Sequence, residues 1–132
     1  KQLKNKNKLD LIDCRLNLKK YIESIKNSKV VLSLYGWGEI CYRDWEAIIF
    51  GTPFIKPDMS NIVTWPNIYI PFKTYYPVNL SLDNLDDTIN IATNSYDKSI
   101  LMVKNCQEIH KSIRINKGLE FCNRFESMIS FK

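Results

Sequence analysis

The chain has 132 residues, of which 45% are hydrophobic and 25% charged, the composition of an ordinary globular domain. This length supports at most one domain with one core. No apolar run approaches the roughly 18 residues that a membrane helix needs, so we expect no transmembrane segment. The sequence has no signal-peptide pattern and begins with Lys1 instead of methionine, so we expect it to be part of a longer protein.

The net charge of +5 points at first to a nucleic-acid partner, but the excess is concentrated at the N-terminus. Residues 1–8 hold four lysines and no acid, and without them 15 basic residues face 14 acidic ones, a balance of +1. We therefore expect residues 1–8 to be a disordered basic leader and residues 9–132 to be a single folded domain. The nearly neutral net charge of residues 9–132 is evidence against a nucleic-acid partner. A basic nucleic-acid-binding protein remains a third hypothesis.

The four cysteines show neither a CxxC pair nor any other ligand-like spacing. Cys41 and Cys106 fall on apolar helical faces, where a free cysteine behaves as a small hydrophobic side chain. We therefore expect reduced, structural thiols and a cytoplasmic location. The single histidine, His110, lies beside the apolar stripe of its helix and reads as a surface residue, so we expect no metal site.

The first predicted elements are a short strand at Leu9–Cys14, a helix and a buried strand. Asn17 is a suitable N-cap for a helix whose apolar residues follow the 3.6-residue period and which ends at Asn27-Ser28. Residues 30–34 are short, apolar and rich in β-formers, which predicts a buried strand. A helix that leads directly into a buried strand is typical of an α/β domain.

The stretch 33–65 contains three of the four glycines and predicts a second helix and strand after a glycine turn. From Glu39, apolar residues recur at i, i+4, i+7 and i+8 of one helical face: Cys41, Trp45, Ile48 and Ile49. Gly51 is placed to end this helix, and a second strand begins at Thr52–Ile55. Units of this kind bind ligands at the carboxyl ends of their strands.

The five prolines all lie between Pro53 and Pro77, so this region reads as short extended pieces, at 67–71 and 75–80. Asp83 is a candidate N-cap for a third helix, which Asn94-Ser95 ends. Its predicted inward residues are Leu85, Ile89 and Ala92. A longer fourth helix has Met102, Cys106, Ile109 and Ile113 inward. A last amphipathic helix follows Gly118, with Phe121, Phe125 and Met128 or Ile129 inward.

The run from Gly36 to Pro71 resembles the C-terminal, nucleotide-sugar-binding half of GT-B fold glycosyltransferases of the "group 1" type. The matching motifs are Gly36 and Gly38, Glu46-Ala47, and Gly51-Thr52-Pro53. Further similarity to a bacterial and viral subset rests on Arg43-Asp44, Lys56-Pro57-Asp58-Met59 and Thr64-Trp65-Pro66. The resemblance covers roughly residues 14–95.

The resemblance implies a Rossmann-like three-layer α/β domain with a small parallel sheet flanked by helices. It implies a sugar transferred from a nucleotide diphosphate donor to a glycan or lipid-linked acceptor, with a missing N-terminal GT-B domain completing the cleft. No cofactor or metal is implied beyond the donor itself. One feature departs from the pattern, because Gly38 stands eight residues before Glu46, where many members carry a second glutamate. A two-glutamate, retaining-type mechanism is therefore in doubt.

The predicted nucleotide-sugar-binding residues are Gly36, Trp37, Gly38, Glu39, Arg43, Glu46, Lys56 and Asp58. In the family, the glutamate that matches Glu46 accepts hydrogen bonds from the ribose. Gly36 to Gly38 opens onto a helix N-terminus, which attracts phosphate. Arg43, oriented by Asp44, and Lys56 supply cations for a diphosphate. Trp37 either covers the sugar or packs on a neighbouring domain.

Each of these assignments has a plainer alternative. Glu39, Arg43 and Glu46 share one predicted helical face and also fit a solvated salt-bridge ladder. Asp58 and Ser60 fit ordinary turn chemistry equally well. For the whole chain, the second hypothesis is a nucleotide- or sugar-binding module without catalysis. The catalytic residues, the donor, the acceptor and the stereochemistry are left undetermined by the sequence.

Overall fold

A computed structural model describes residues 15–116 and 118–130, and it shows a three-stranded parallel sheet flanked by helices. The expected leader at residues 1–8 and the strand at Leu9–Cys14 lie outside the described residues. The elements, in chain order, are α1 Leu18–Asn27, β1 Val31–Leu32, α2 Tyr42–Phe50, β2 Phe54–Pro57, β3 Tyr76–Val78, α3 Leu85–Asn94, α4 Tyr96–Asn116 and α5 Leu119–Ile129.

The strands lie in the order β1-β2-β3, and both neighbouring pairs are parallel. Val31 is in register with Phe54, and Ile55 with Tyr76. A βαβ crossover through α2 joins β1 to β2, whereas the connection from β2 to β3 contains no helix. This architecture is α/β and compatible with a Rossmann-like fold, as the sequence predicts.

The two faces of the sheet carry two separate cores because side chains alternate along a strand. Phe54 packs with Ile48 of α2 in the first core, which also includes Ile25 of α1. Ile55 points the other way and packs with Ile89 of α3. Helix α4 contributes to both cores, through Cys106 to the first and Met102 to the second. The result is a helix–sheet–helix sandwich of three layers.

Several predicted boundaries are confirmed. The Asn17 side chain accepts a hydrogen bond of 2.9 Å from the Lys20 N–H and caps α1. Gly51 ends α2 in the left-handed conformation at φ 77°, where a side chain is strained. Helix α3 ends at Asn94, and its predicted inward residues are all buried.

Other expectations are corrected. Helix α2 begins at Tyr42, so Glu39 lies in the preceding loop. The buried residues of α2 are Asp44, Ala47 and Ile48, while Ile49 is 57% exposed. Asp44, a charged residue, thus occupies a core position, and Trp45 is partly buried against the first core.

Three further differences concern the second half. Residues 67–71 form no strand and make only a single bridge, between Pro71 and Tyr75. Asn84 takes the N-cap position of α3 that the sequence assigned to Asp83. Helix α5 has no buried residue, although Phe121 packs edge-on against Trp65 with ring centroids 5.1 Å apart.

Candidate functional site

The candidate site is the edge of the sheet at which the parallel strands end. Ser33 follows β1, and the loop that it begins leads into α2. Asp58 follows β2, and Asn79 follows β3. We call this region the carboxyl edge. In open α/β sheets ligands generally bind outside the carboxyl ends of the strands, which makes this edge the first candidate.

A buried polar cluster centred on the carboxylate of Asp44 lies at this edge. Its Oδ2 atom is 3.0 Å from the Lys56 ammonium and accepts a 2.7 Å hydrogen bond from the Tyr69 hydroxyl. Its Oδ1 atom accepts a 2.5 Å bond from the Ser33 hydroxyl. The Cys41 backbone N–H donates to Oδ2 at 3.0 Å. One carboxylate therefore joins the end of β1, the start of α2, β2 and the β2–β3 connection.

The position of Lys56 follows from the alternation of β2. Phe54 faces α1 and α2, so Lys56, two residues further along the strand, faces the same way and meets Asp44. Its ammonium also lies 5.4 Å from the Tyr35 ring centroid and 5.7 Å from that of Tyr69. The side chain is fully buried and its charge is paired with Asp44, so the predicted role of Lys56 toward a diphosphate stays a prediction.

The same cluster changes the electrostatics of the N-terminus of α2. Asp44 is the third residue of the helix, and its carboxylate already accepts the Cys41 N–H that precedes it. A carboxylate in the first turn interacts favourably with the helix dipole. The Asp44 carboxylate thus already occupies part of the anion-binding capacity of this terminus, and Lys56 balances the carboxylate charge. The pKa of Tyr69 is raised, first by burial and then by the nearby Asp44 charge.

Arg43 and Glu46 form a second, more accessible group on the outer side of α2. The Tyr21 hydroxyl of α1 donates a 2.5 Å hydrogen bond to Oε2 of Glu46. Nη1 of Arg43 lies 3.4 Å from the backbone oxygen of Leu32, at the end of β1. The pKa of Tyr21 is raised by burial and by the Glu46 carboxylate, against the opposing effect of Arg43. The expected orientation of Arg43 by Asp44 is wrong, since that carboxylate turns inward.

Asp58 stabilises the turn that follows β2. Its carboxylate accepts the Ser60 backbone N–H at 3.0 Å and the Ser60 hydroxyl at 2.9 Å, and the Tyr75 hydroxyl lies at 3.2 Å. These donors hold the pKa of Asp58 below its usual value, the Ser60 N–H most strongly. The backbone oxygen of Asp58 also accepts a 3.2 Å bond from the Tyr35 hydroxyl. The turn interpretation therefore accounts for much of this side chain, which stays exposed.

The glycine loop stands open to solvent above these groups. Gly36 donates a 3.2 Å hydrogen bond to the backbone oxygen of Gly38, and neither glycine has a positive φ. A Cβ at Gly38 would meet no atom within 4 Å, and one at Gly36 would meet only the Cys41 sulfur at 3.8 Å. The fold itself therefore does not demand glycine at either position. Trp37 is fully exposed, and Glu39 is exposed as well.

The predicted residues thus separate into four groups. Gly36 to Glu39 lie in the open loop, Arg43 and Glu46 on α2, Lys56 in the interior, and Asp58 in the exposed turn after β2. Tyr21, Ser33 and Tyr69 join these groups in the structure but are absent from the predicted set. Ser33 had a usable signal, because it directly follows β1, but the two tyrosines join the site only through tertiary contacts.

Within residues 15–116 and 118–130, no group of three His, Cys, Asp or Glu side chains is arranged to hold a metal. None of the helices in this described part is long and apolar enough to cross a membrane. Cys41, Cys106 and Cys122 carry free thiols, and burial raises the pKa of Cys106 to about 12.

Comparison with known proteins adds no assignment. No protein-family model, no curated protein and no solved structure matches the chain.

Proposed function

We propose that this chain is the donor-binding domain of a GT-B type glycosyltransferase and takes a nucleotide diphosphate sugar at the carboxyl edge. One observation carries the proposal. The strand–glycine loop–helix–strand unit folds as a parallel βαβ unit with Arg43 over the end of β1 and Glu46 beside it on α2. The proposal is supported by this proximity, because a carboxylate can accept from hydroxyl groups and a guanidinium can bind phosphate.

Glu46 and Arg43 bind different parts of the donor, the ribose and the diphosphate. Glu46 has one carboxylate oxygen bonded to Tyr21 and a second that accepts a ribose hydroxyl. Arg43 offers a bidentate fork to the diphosphate. The open loop from Gly36 to Gly38 lets its other backbone N–H groups approach closely, since that of Gly36 is bonded to Gly38 within the loop. Lys56 acts indirectly, since it fixes Asp44 and with it the start of α2.

The reaction is the transfer of a sugar to a glycan or lipid-linked acceptor, with departure of the nucleoside diphosphate. Positioned cations and N–H groups stabilise the charge that develops on the leaving group. Transfer also requires the acceptor to be held at near-attack distance, an arrangement worth about 7–11 kcal/mol. In a GT-B enzyme the acceptor side of the cleft belongs to the N-terminal domain. We therefore expect this chain to bind the donor and to transfer nothing by itself.

A nucleotide- or sugar-binding module without catalysis is the second candidate. It is favoured by the burial of Lys56, which removes one of the two cations proposed for the diphosphate. Joining the chain to the missing domain separates the two candidates, because only the enzyme then produces a glycosylated acceptor.

A thermal-shift panel of nucleoside diphosphates and nucleotide sugars tests the proposal, because a ligand that binds only the folded state raises its stability by mass action. We expect at least one member to raise the melting temperature in a concentration-dependent way. Arg43→Ala should reduce this shift, whereas Arg114→Ala, which removes an exposed arginine at the far end of α4, should not. The proposal fails if no member stabilises the protein, or if both variants respond like the wild type.

A further inference from the structure

A large cleft lies at the opposite edge of the sheet, where the strands begin. Its volume is about 640 Å³, within the range of small-molecule sites. Lys29, which precedes β1, and Pro53, which precedes β2, line it together with the first half of α4. We call it the amino-edge cleft. It shares no residue with the proposed donor site, and nothing in the proposed function uses it.

The charge of the amino-edge cleft has one sign. Among the described residues that line it, Lys29 and Lys104 are the charged ones, and no acidic side chain is present. Both lysines are exposed. Two lysines in one cleft without an acid in the lining complement a dianion better than a single negative charge, and a phosphate monoester carries about −1.5 to −2 at neutral pH.

The rest of the lining suits a hydroxylated ring. Helix α1 ends at Asn27 and α2 at Gly51, and both residues line the cleft. The last carbonyl groups of a helix have no partner within it. Those of Ile25 and Ile48 are bonded to neighbouring groups of the chain, and the remaining ones are available to ligand hydroxyls. Tyr96, an exposed ring, and Val103 supply apolar faces.

The walls are already fixed by internal hydrogen bonds. Gln107 donates from Nε2 to the backbone oxygen of Ile48 at 3.1 Å. The Ser99 hydroxyl lies 2.9 Å from that of Tyr76 and 3.1 Å from the backbone oxygen of Ala92. These polar groups therefore need no ligand to hold the cleft open, and a preformed site loses little conformational entropy on binding.

We propose that the amino-edge cleft binds a small sugar phosphate, with the phosphate between Lys29 and Lys104 and the hydroxyl groups toward the helix ends. The site is independent of the proposed donor site, so either assignment stands without the other. The phosphate and the ring each make a separate contribution, and each has its own control.

Glucose 1-phosphate is the test ligand, followed by the backbone amide signals of the chain in a nuclear magnetic resonance titration without phosphate buffer. We expect it to shift the amides of Gly51, Thr93 and Val103 at millimolar concentration. Glucose, which lacks the charge, should leave them unchanged. Inorganic phosphate, which lacks the ring, should bind at least about tenfold more weakly.

The variant Lys29→Ala/Lys104→Ala should weaken glucose 1-phosphate binding by at least about tenfold. Lys98→Ala is the matched control, because Lys98 is an exposed lysine of α4 outside the cleft. Arg43→Ala, at the other edge, should also bind normally. The site is refuted if glucose 1-phosphate moves none of these amides, if inorganic phosphate binds equally well, or if the double variant binds like the wild type.

Discussion

The Nζ atom of Lys56 lies 3.0 Å from Oδ2 of Asp44, and neither side chain exposes any surface. A buried ion pair is costly to desolvate, so such a pair is weak support for stability by itself. Here the carboxylate also accepts bonds from Ser33, Tyr69 and the Cys41 N–H. These bonds fasten the start of α2 to the end of β1, beneath the glycine loop. We infer that the pair fixes the geometry of the carboxyl edge.

Breaking this pair from one side should be strongly destabilising. Lys56→Met leaves a buried carboxylate without its cation, and Asp44→Asn leaves a buried ammonium without its anion. Each change should lower the free energy of unfolding by about 3–5 kcal/mol, measured by urea denaturation. The double variant Asp44→Asn/Lys56→Met should lose less than the sum of the two, because no unpaired charge remains. Additive losses would show that the two side chains do not interact.

Two glycine substitutions should behave differently. Gly51→Ala should lower the free energy of unfolding by about 1–2 kcal/mol, since φ is 77° there. Gly38 has no positive φ, and a Cβ there would meet no atom within 4 Å. Gly38→Ala should therefore change the free energy of unfolding by less than about 0.5 kcal/mol. Thermal unfolding of both variants measures this difference. Equal losses would contradict the backbone conformation of the glycine loop or of the α2 terminus.

We expect Asp58 to make a pH-dependent contribution to stability. Its folded pKa lies below the unfolded value, mainly because the Ser60 N–H donates to the carboxylate. The contribution is therefore fully present above the unfolded pKa of about 3.9 and is lost as pH falls through the folded pKa. The difference in urea midpoint between wild type and Asp58→Asn should be largest near neutral pH and shrink below about pH 4. A difference that grows in acid would contradict this account.

Variants of Tyr21 and Glu46 can show whether Glu46 has a structural role or a binding role. Tyr21→Phe and Glu46→Gln both weaken the same hydrogen bond, so each should lower the free energy of unfolding by about 1 kcal/mol. Only Glu46→Gln removes the charged acceptor proposed for the ribose. Calorimetry should therefore show weaker nucleoside diphosphate binding by Glu46→Gln and near-normal binding by Tyr21→Phe. Equal binding losses in both variants would assign Glu46 a purely structural role.

The sequence predicts the α/β architecture because its signals are local. Asn17 and Gly51 act through the backbone beside them, and the inward residues of α3 follow the helical period. The burial of Asp44 cannot be predicted from local signals, because a carboxylate in a core position is recognisable only when its partners are known. Lys56 and Tyr69 are distant from Asp44 in the chain and meet it through the alternation of β2 and the β2–β3 connection.

The same limit applies to both edges of the sheet. The glycine loop and the position of Asp58 follow from the order strand, turn, helix and strand, which places them at the carboxyl edge. The amino-edge cleft brings together the ends of α1 and α2 with the start of α4, and no short motif encodes that meeting. The exposure of α5 was likewise unexpected, because an amphipathic pattern predicts an inward face but not the surface that covers it.

The most direct test of the donor-binding proposal is a calorimetric comparison of a stabilising nucleoside diphosphate with its parent nucleoside, on wild type, Arg43→Ala and Gly38→Ala. Arg43→Ala removes the proposed phosphate fork. Gly38→Ala adds a methyl group, without disturbing the fold, to the loop proposed to approach the phosphates. We predict that both variants lose affinity for the diphosphate and keep their affinity for the nucleoside. Unchanged diphosphate binding in both variants, or equal losses for the two ligands, would contradict a diphosphate site at the carboxyl edge.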